Sequence, residues 1–163
     1  MAIIRELTAD DWREWRALRL TALAEAPHAF GARLEEWQGA GDTEARWRKR
    51  LTDRPFTVLA EIGGRATGMA SGSAPDETAT VALHSMYVAA SARGHGIGDA
   101  LIEAVTGWAR RSGARRLRLE VFDDNQSAIA LYRRHGFTRA GTVRYPRLAL
   151  EMVREVRYPS PPA

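Results

Sequence analysis

The sequence predicts an α/β protein: a central mixed sheet of about seven strands with helices on both faces. Three observations carry this. Residues 80–88 (TVALHSMYV) and 116–122 (RLRLEVF) both read as strands. Between them, Ile97, Leu101, Ile102, Val105 and Trp108 recur at helical spacing within 97–112, so the unit must be a right-handed crossover between parallel neighbours. Residues 56–62 and 65–73 flank Gly63-Gly64, a hairpin signal that makes another part of the sheet antiparallel.

The remaining elements follow in order. Residues 3–7 (IIREL) form a short strand. Thr8 opens a helix with Asp11 in the capping-box position, and its apolar stripe is Trp12, Trp15, Leu18, Ala22 and Leu23, ending near Pro27. Both tryptophans read as core. Residues 43–51 (TEARWRKRL) give a second helix capped by Thr43. Residues 126–135 (QSAIALYRRH) form a helix stopped by Gly136, and FTRAGTVRY and LALEMVREV are the last two strands. The order is β-α-α-β-β-β-α-β-α-β-β. A single domain is expected over 1–157, followed by a disordered tail at 158–163, whose prolines cannot support a strand ladder.

Composition excludes several classes. The chain has 163 residues, 45% apolar and 27% charged, the profile of one globular domain. It contains no apolar run near the roughly 20 residues of a membrane span. The opening MAIIRELTADD lacks the basic and apolar regions of a secretory signal, so a cytoplasmic enzyme is expected. The absence of cysteine excludes disulfides, thiolate metal sites and a thiol nucleophile. Net charge is +4, but 23 of the 24 basic residues are arginine and they are scattered, RWRKR (46–50) apart. No basic stripe interleaves with aromatics, so neither nucleic acid nor membrane is an expected partner, and the charge supports only a modest attraction for anionic ligands. His28, His95 and His135 lack metal-ligand spacing, the acidic stretches DETAT and FDDN read as turns, and no metal is expected.

The segment Arg93 to Gly98 (RGHGIG) needs its own explanation. Gly98 is followed by Asp99 rather than the Lys of a P-loop, and the strict alternation of Gly94, Gly96 and Gly98 is not the dinucleotide fingerprint. The turn lies between a strand and a helix, so its N–H groups face outward at a helix N-terminus, where an anion is favoured. Glycine there lets a phosphate approach closely, although a tight strand-to-helix loop would also use it.

Further residues separate the two readings. MYV followed by Arg93-x-x-Gly96-x-Gly98 resembles the acyl-CoA signature of the GNAT acetyltransferase superfamily. Asn125, Ala128, Tyr132, Gly136 and Phe137 match its second signature, and the resemblance covers roughly 80–137. It implies a GNAT fold in which the strand at 80–88 splays from its parallel neighbour to open a slot for pantetheine. Backbone groups of Met86, Tyr87 and Val88 would pair with the pantetheine amides. Arg93, Gly94, His95, Gly96, Ile97 and Gly98 would hold the pyrophosphate, and Asn125 would bond the pantetheine arm. Acetyl-CoA is then the co-substrate, an amine the acceptor, and a homodimer through the C-terminal strands is compatible with the superfamily.

Acyl transfer to an amine needs a base for the ammonium proton and a donor for the departing thiolate. Tyr132 lies seven residues after Asn125, two helical turns along one face, and is the expected donor. Many superfamily members carry a Glu where this chain has Ala82, so the base must lie elsewhere. His84 is on the same strand face. Glu120, in a context similar to ribosomal-protein alanine acetyltransferases, is the leading candidate, and a water-only route is the third. Phe30, in PHAFG (27–31), is expected to wall the acceptor pocket. The alternative to an enzyme is a non-catalytic acyl-CoA sensor.

Overall fold

The computed structural model of the chain describes residues 2–30, 32–144 and 147–156. Strand β1 (Ile3–Glu6) leads into the expected capping box: the Thr8 hydroxyl accepts the Asp10 N–H at 3.3 Å, and Asp11 accepts the Thr8 N–H at 2.7 Å. Helix α1 (Trp12–Glu25) follows, then short 3₁₀ turns at Pro27–Ala29, Leu34–Trp37 and Gly39–Gly41. Helix α2 (Glu44–Asp53) is capped by Thr43, whose hydroxyl accepts the Arg46 N–H at 3.3 Å. Strands β2 (Phe56–Ile62) and β3 (Arg65–Gly72) form the hairpin, and β4 is Thr80–Val88. Then come α3 (Ile97–Arg111), β5 (Arg116–Phe122), α4 (Gln126–Arg134), β6 (Thr138–Val143) and β7 (Ala149–Glu155).

The described strands form one mixed sheet in the order β1-β2-β3-β4-β5-β7-β6. Every neighbouring pair is antiparallel except β4 and β5, which the α3 crossover makes parallel. Each face of the sheet carries its own core. On one side Ile97, Leu101, Ile102 and Val105 of α3, with Ile129 and Tyr132 of α4, pack on Val81, Leu83, Leu117 and Leu119. On the other, Trp15, Leu18 and Leu23 of α1 and Trp47 and Leu51 of α2 cover Leu59, Met69 and Tyr87. Burying both faces is what a parallel pair at the centre of a sheet requires.

The expected element order and fold class are those of the structure. The penultimate strand is shorter than FTRAGTVRY: Phe137 leaves the ladder for the core, where its ring meets Tyr132 edge-on at 5.8 Å. Tyr145 and the tail 158–163 lie outside the described residues. Among the described residues, no helix is long and apolar enough to cross a membrane.

Candidate active site

The site begins where the parallel strands stop pairing. Only Thr80, Val81 and Ala82 of β4 are in register with β5, opposite Arg116, Leu117 and Arg118. Beyond Ala82 the strands part. On its other edge β4 carries a bulge, with Ser71 opposite His84 but Met69 opposite Tyr87, and with Ser85 in the left-handed region at φ 56°. One extra residue reverses the alternation of side chains. Tyr87 therefore joins Ala82 and His84 on the α1 side of the sheet, whereas Met86 and Val88 turn toward α3. The parted strands open into a cleft of about 1130 Å³ lined by all five of these residues.

The glycine turn closes one end of the cleft. Gly94 and Gly96 have φ of 81° and 76°, and Gly96 is the N-cap of α3 without a side-chain cap. The first helical bond, from the Ala100 N–H, reaches Gly96 O at 3.0 Å; the N–H groups from Gly94 to Asp99 have no acceptor among the described residues. Gly98 has a different reason to be glycine. A Cβ there would stand 2.9 Å from Leu131 Cδ2, so its bare backbone admits α4 rather than a ligand. The Arg93 Nε donates to Val88 O at 3.3 Å, tying the turn to the end of β4. Asp99, in the first turn of α3, accepts from His135 at 2.7 Å and Arg134 at 2.9 Å, and these bonds hold its carboxyl below the usual range. Arg93, Gly94, Gly96, Ile97 and Gly98 line the cleft; the exposed ring of His95 does not.

Helix α4 forms the next wall. Asn125 is its N-cap, with the side-chain oxygen accepting the Ala128 N–H at 3.3 Å, which leaves the amide donors for the cleft. Tyr132 is 6% exposed, lines the cleft, and its hydroxyl makes no hydrogen bond to another described residue. Burial raises its pKa above the ordinary phenol value, so it stays protonated. Glu120 shares the cleft face of β5 with Arg118, their side chains 3.4 Å apart, while Leu117, Leu119 and Val121 point into the core. The pKa of His84 is pushed down to about 4, first by burial and then by Arg54, Arg50 and Arg118. A neutral imidazole so reluctant to take a proton is a poor base near neutral pH.

The end of the cleft nearest α1 and α2 is aromatic and cationic. Phe30 faces Tyr87 with ring centroids 6.4 Å apart, and the Arg19 guanidinium lies 4.8 Å from the Phe30 ring centre. The Tyr87 hydroxyl donates to Glu25; burial, then this bond, pushes the phenol up to about 12. Arg19, Arg50 and Arg54 also line this end. Sequence reasoning passed over all three, although Arg19 carried a signal. It occupies the buried stripe of α1 between Trp15 and Leu23, a position where a charge is out of place. Among the described residues, no group of three or more His, Asp or Glu side chains is arranged to hold a metal.

Parallel strands that part over a helix N-terminus, with helices on both sheet faces, define an α/β protein built to receive a ligand between its strands. The chain matches the acetyltransferase (GNAT) family over residues 5–137, and it belongs to that family. It is 30% identical over 150 residues to an aminoglycoside N(6')-acetyltransferase type 1 of Stenotrophomonas maltophilia, covering 91% of this chain and 94% of that one. It is 33% identical over 121 residues to the L-2,4-diaminobutyric acid acetyltransferase of Nocardia farcinica, 69% of this chain; the matched part is 62% of that longer protein. A Salmonella typhimurium protein solved with its cofactor acetyl-CoA superposes with a TM-score of 0.75 at 20% identity, covering 100% of this chain and 98% of that one. At that identity the likeness concerns the fold.

Proposed function

We propose that the protein transfers the acetyl group of acetyl-CoA to a primary amine by direct attack in a ternary complex. The observation that carries this is the parting of β4 from β5 beside a turn in which the N–H groups from Gly94 to Asp99 have no acceptor among the described residues. Backbone groups of Met86 to Val88 offer the pantetheine amides a strand edge. The N–H groups of Arg93 to Gly98 and the positive end of α3 receive the pyrophosphate, and the Asn125 amide donates to the pantetheine arm. The relatives named above act on a diamino acid and an aminoglycoside, both amines.

In this reading Glu120 accepts the proton of the incoming ammonium, directly or through water. The freed amine forms the C–N bond, the C–S bond breaks, and Tyr132 donates to the departing sulfur. Glu120 is favoured over His84 because its carboxyl group faces the cleft, whereas burial, and then the cationic neighbours of His84, oppose protonation of the imidazole. Phe30 walls the acceptor end. The same reading gives one catalytic domain over 1–157, acting in the cytoplasm, with the edge strand β6 available to a second copy.

The test is thiol release from acetyl-CoA with a panel of amines. Amine-dependent release is expected, and Glu120→Gln should slow it by about 10²-fold or more and flatten the acidic limb of the pH profile, while His84→Gln leaves that limb in place. Tight coenzyme binding without release for any amine would make the chain a sensor instead. Loss of the acidic limb only in the His84 variant would move the base to His84.

A further inference from the structure

The acceptor end of the cleft gathers three guanidiniums, and among the described residues only Asp53 opposes the charge of Arg50 and Arg54. Arg19 is 3% exposed, and its Nη1 is buried without a hydrogen-bond partner. Arg54, just beyond α2, has a buried Nη1 in the same condition. Arg50 stands close enough to act on both as a like charge. All three line the cleft that also holds Glu120 and Tyr132.

Of the nearby carboxylates, Glu25 is bonded to the Tyr87 hydroxyl and Glu120 to Arg118, while Asp53, bonded to Lys49 at 2.7 Å, reaches Arg50 and Arg54 only through space. A buried guanidinium without an anion is costly to fold, and buried polar groups are almost always satisfied by something. Resting on the acetyl-transfer reading, we propose that the acceptor is an amine bearing a carboxylate, which Arg19 and Arg54 hold while its amino group faces Glu120. A planar carboxylate can take two parallel N–H bonds from each guanidinium, which an alcohol or a second ammonium cannot. Burial, and then the neighbouring guanidiniums, lower Arg19 to about 9 and Arg54 to about 10. Both therefore remain charged at neutral pH. Arg50 and Arg54, which add to the burial that keeps the imidazole of His84 neutral, also repel a polycationic acceptor.

Matched amines isolate the carboxylate: L-lysine against cadaverine and L-lysinamide, and L-ornithine against putrescine. The kcat/KM for each amino acid should exceed that of its decarboxylated or amidated partner by at least about tenfold, the scale of one charged hydrogen bond. Arg54→Gln should erase most of this ratio, chiefly through the KM of the amino acid, and Arg54→Glu should invert it toward the diamines. Arg19→Gln should act likewise; if it does not fold, the Arg54 pair decides. Acetyl-CoA calorimetry and thermal melts on each variant separate lost recognition from misfolding. Diamines turned over as well as their amino acids, or a ratio unchanged in Arg54→Gln, overturn the carboxylate site alone. No thiol release with any amine overturns acetyl transfer and this site together.

Discussion

At the scale of single residues, the donor role proposed for Tyr132 is constrained by where it sits. A phenol that burial has pushed above about 10 is a weaker acid than a thiol near 8.5, so complete proton transfer to free thiolate runs uphill. The hydroxyl serves best by hydrogen-bonding to sulfur as charge develops there. Tyr132→Phe keeps the contact with Phe137 and removes only that bond. Turnover should fall about 10²–10⁴-fold with the acetyl-CoA dissociation constant little changed, and the loss should shrink for thioesters of more acidic thiols. Near-normal turnover independent of the leaving thiol would reduce Tyr132 to packing. Tyr132, Asn125 and Glu120 were legible as candidates because motif and alternation place them. The missing hydrogen-bond partner of Arg19 was not, since it depends on which distant side chains fail to reach it. The α1 stripe shows a charge in the wrong place, but not that α2 brings further arginines beside it.

At the scale of elements, the crossover was read almost residue for residue: β4 and β5 fall at the residues read as strands, and α3 begins at Ile97. The bulge in β4 escaped because its left-handed residue is Ser85, and nothing in a serine announces positive φ. The 3₁₀ turns between α1 and α2 are too short to show a period. The three turn glycines, alike in sequence, divide into two kinds, and this yields a prediction. Gly96→Ala places a Cβ on a left-handed residue at a cost of about 1–2 kcal/mol, which Gly96→Asn should largely recover. Gly98→Val instead presses on the Cδ2 end of Leu131 and turns that side chain into the cleft, so it should raise the acetyl-CoA dissociation constant at least about tenfold, or ~1.4 kcal/mol. Calorimetry and rates on the folded variants decide. Wild-type affinity in Gly98→Val would mean that Leu131 turns aside without narrowing the coenzyme's space.

At the scale of the whole molecule, Asp42 fastens the segment between α1 and α2. It accepts from Arg16 Nε at 2.7 Å and Nη2 at 2.5 Å, and from Trp47 Nε1 at 2.8 Å. These bonds, that of Arg16 first, hold its pKa down at about 2. The folded value lies below the unfolded value of about 3.9, so the folded state prefers the carboxylate. The contribution is whole above pH 4 and is lost as pH falls toward 2. Asp42→Asn should lower the thermal midpoint at pH 7, with the gap to the native protein closing between pH 4 and pH 2. A gap that stays constant across that interval would show that the carboxylate charge contributes nothing.

The sheet is joined across its middle by three rungs, at Thr80, Val81 and Ala82. To one side lie β1 to β4, to the other β5 to β7, and the cleft is the angle between them. Because the two halves of the sheet pair with each other only at those rungs, the spread of the cleft is set where Arg116 and Leu117 seat against Thr80 and Val81, and neither Arg116 nor Leu117 lines the cleft.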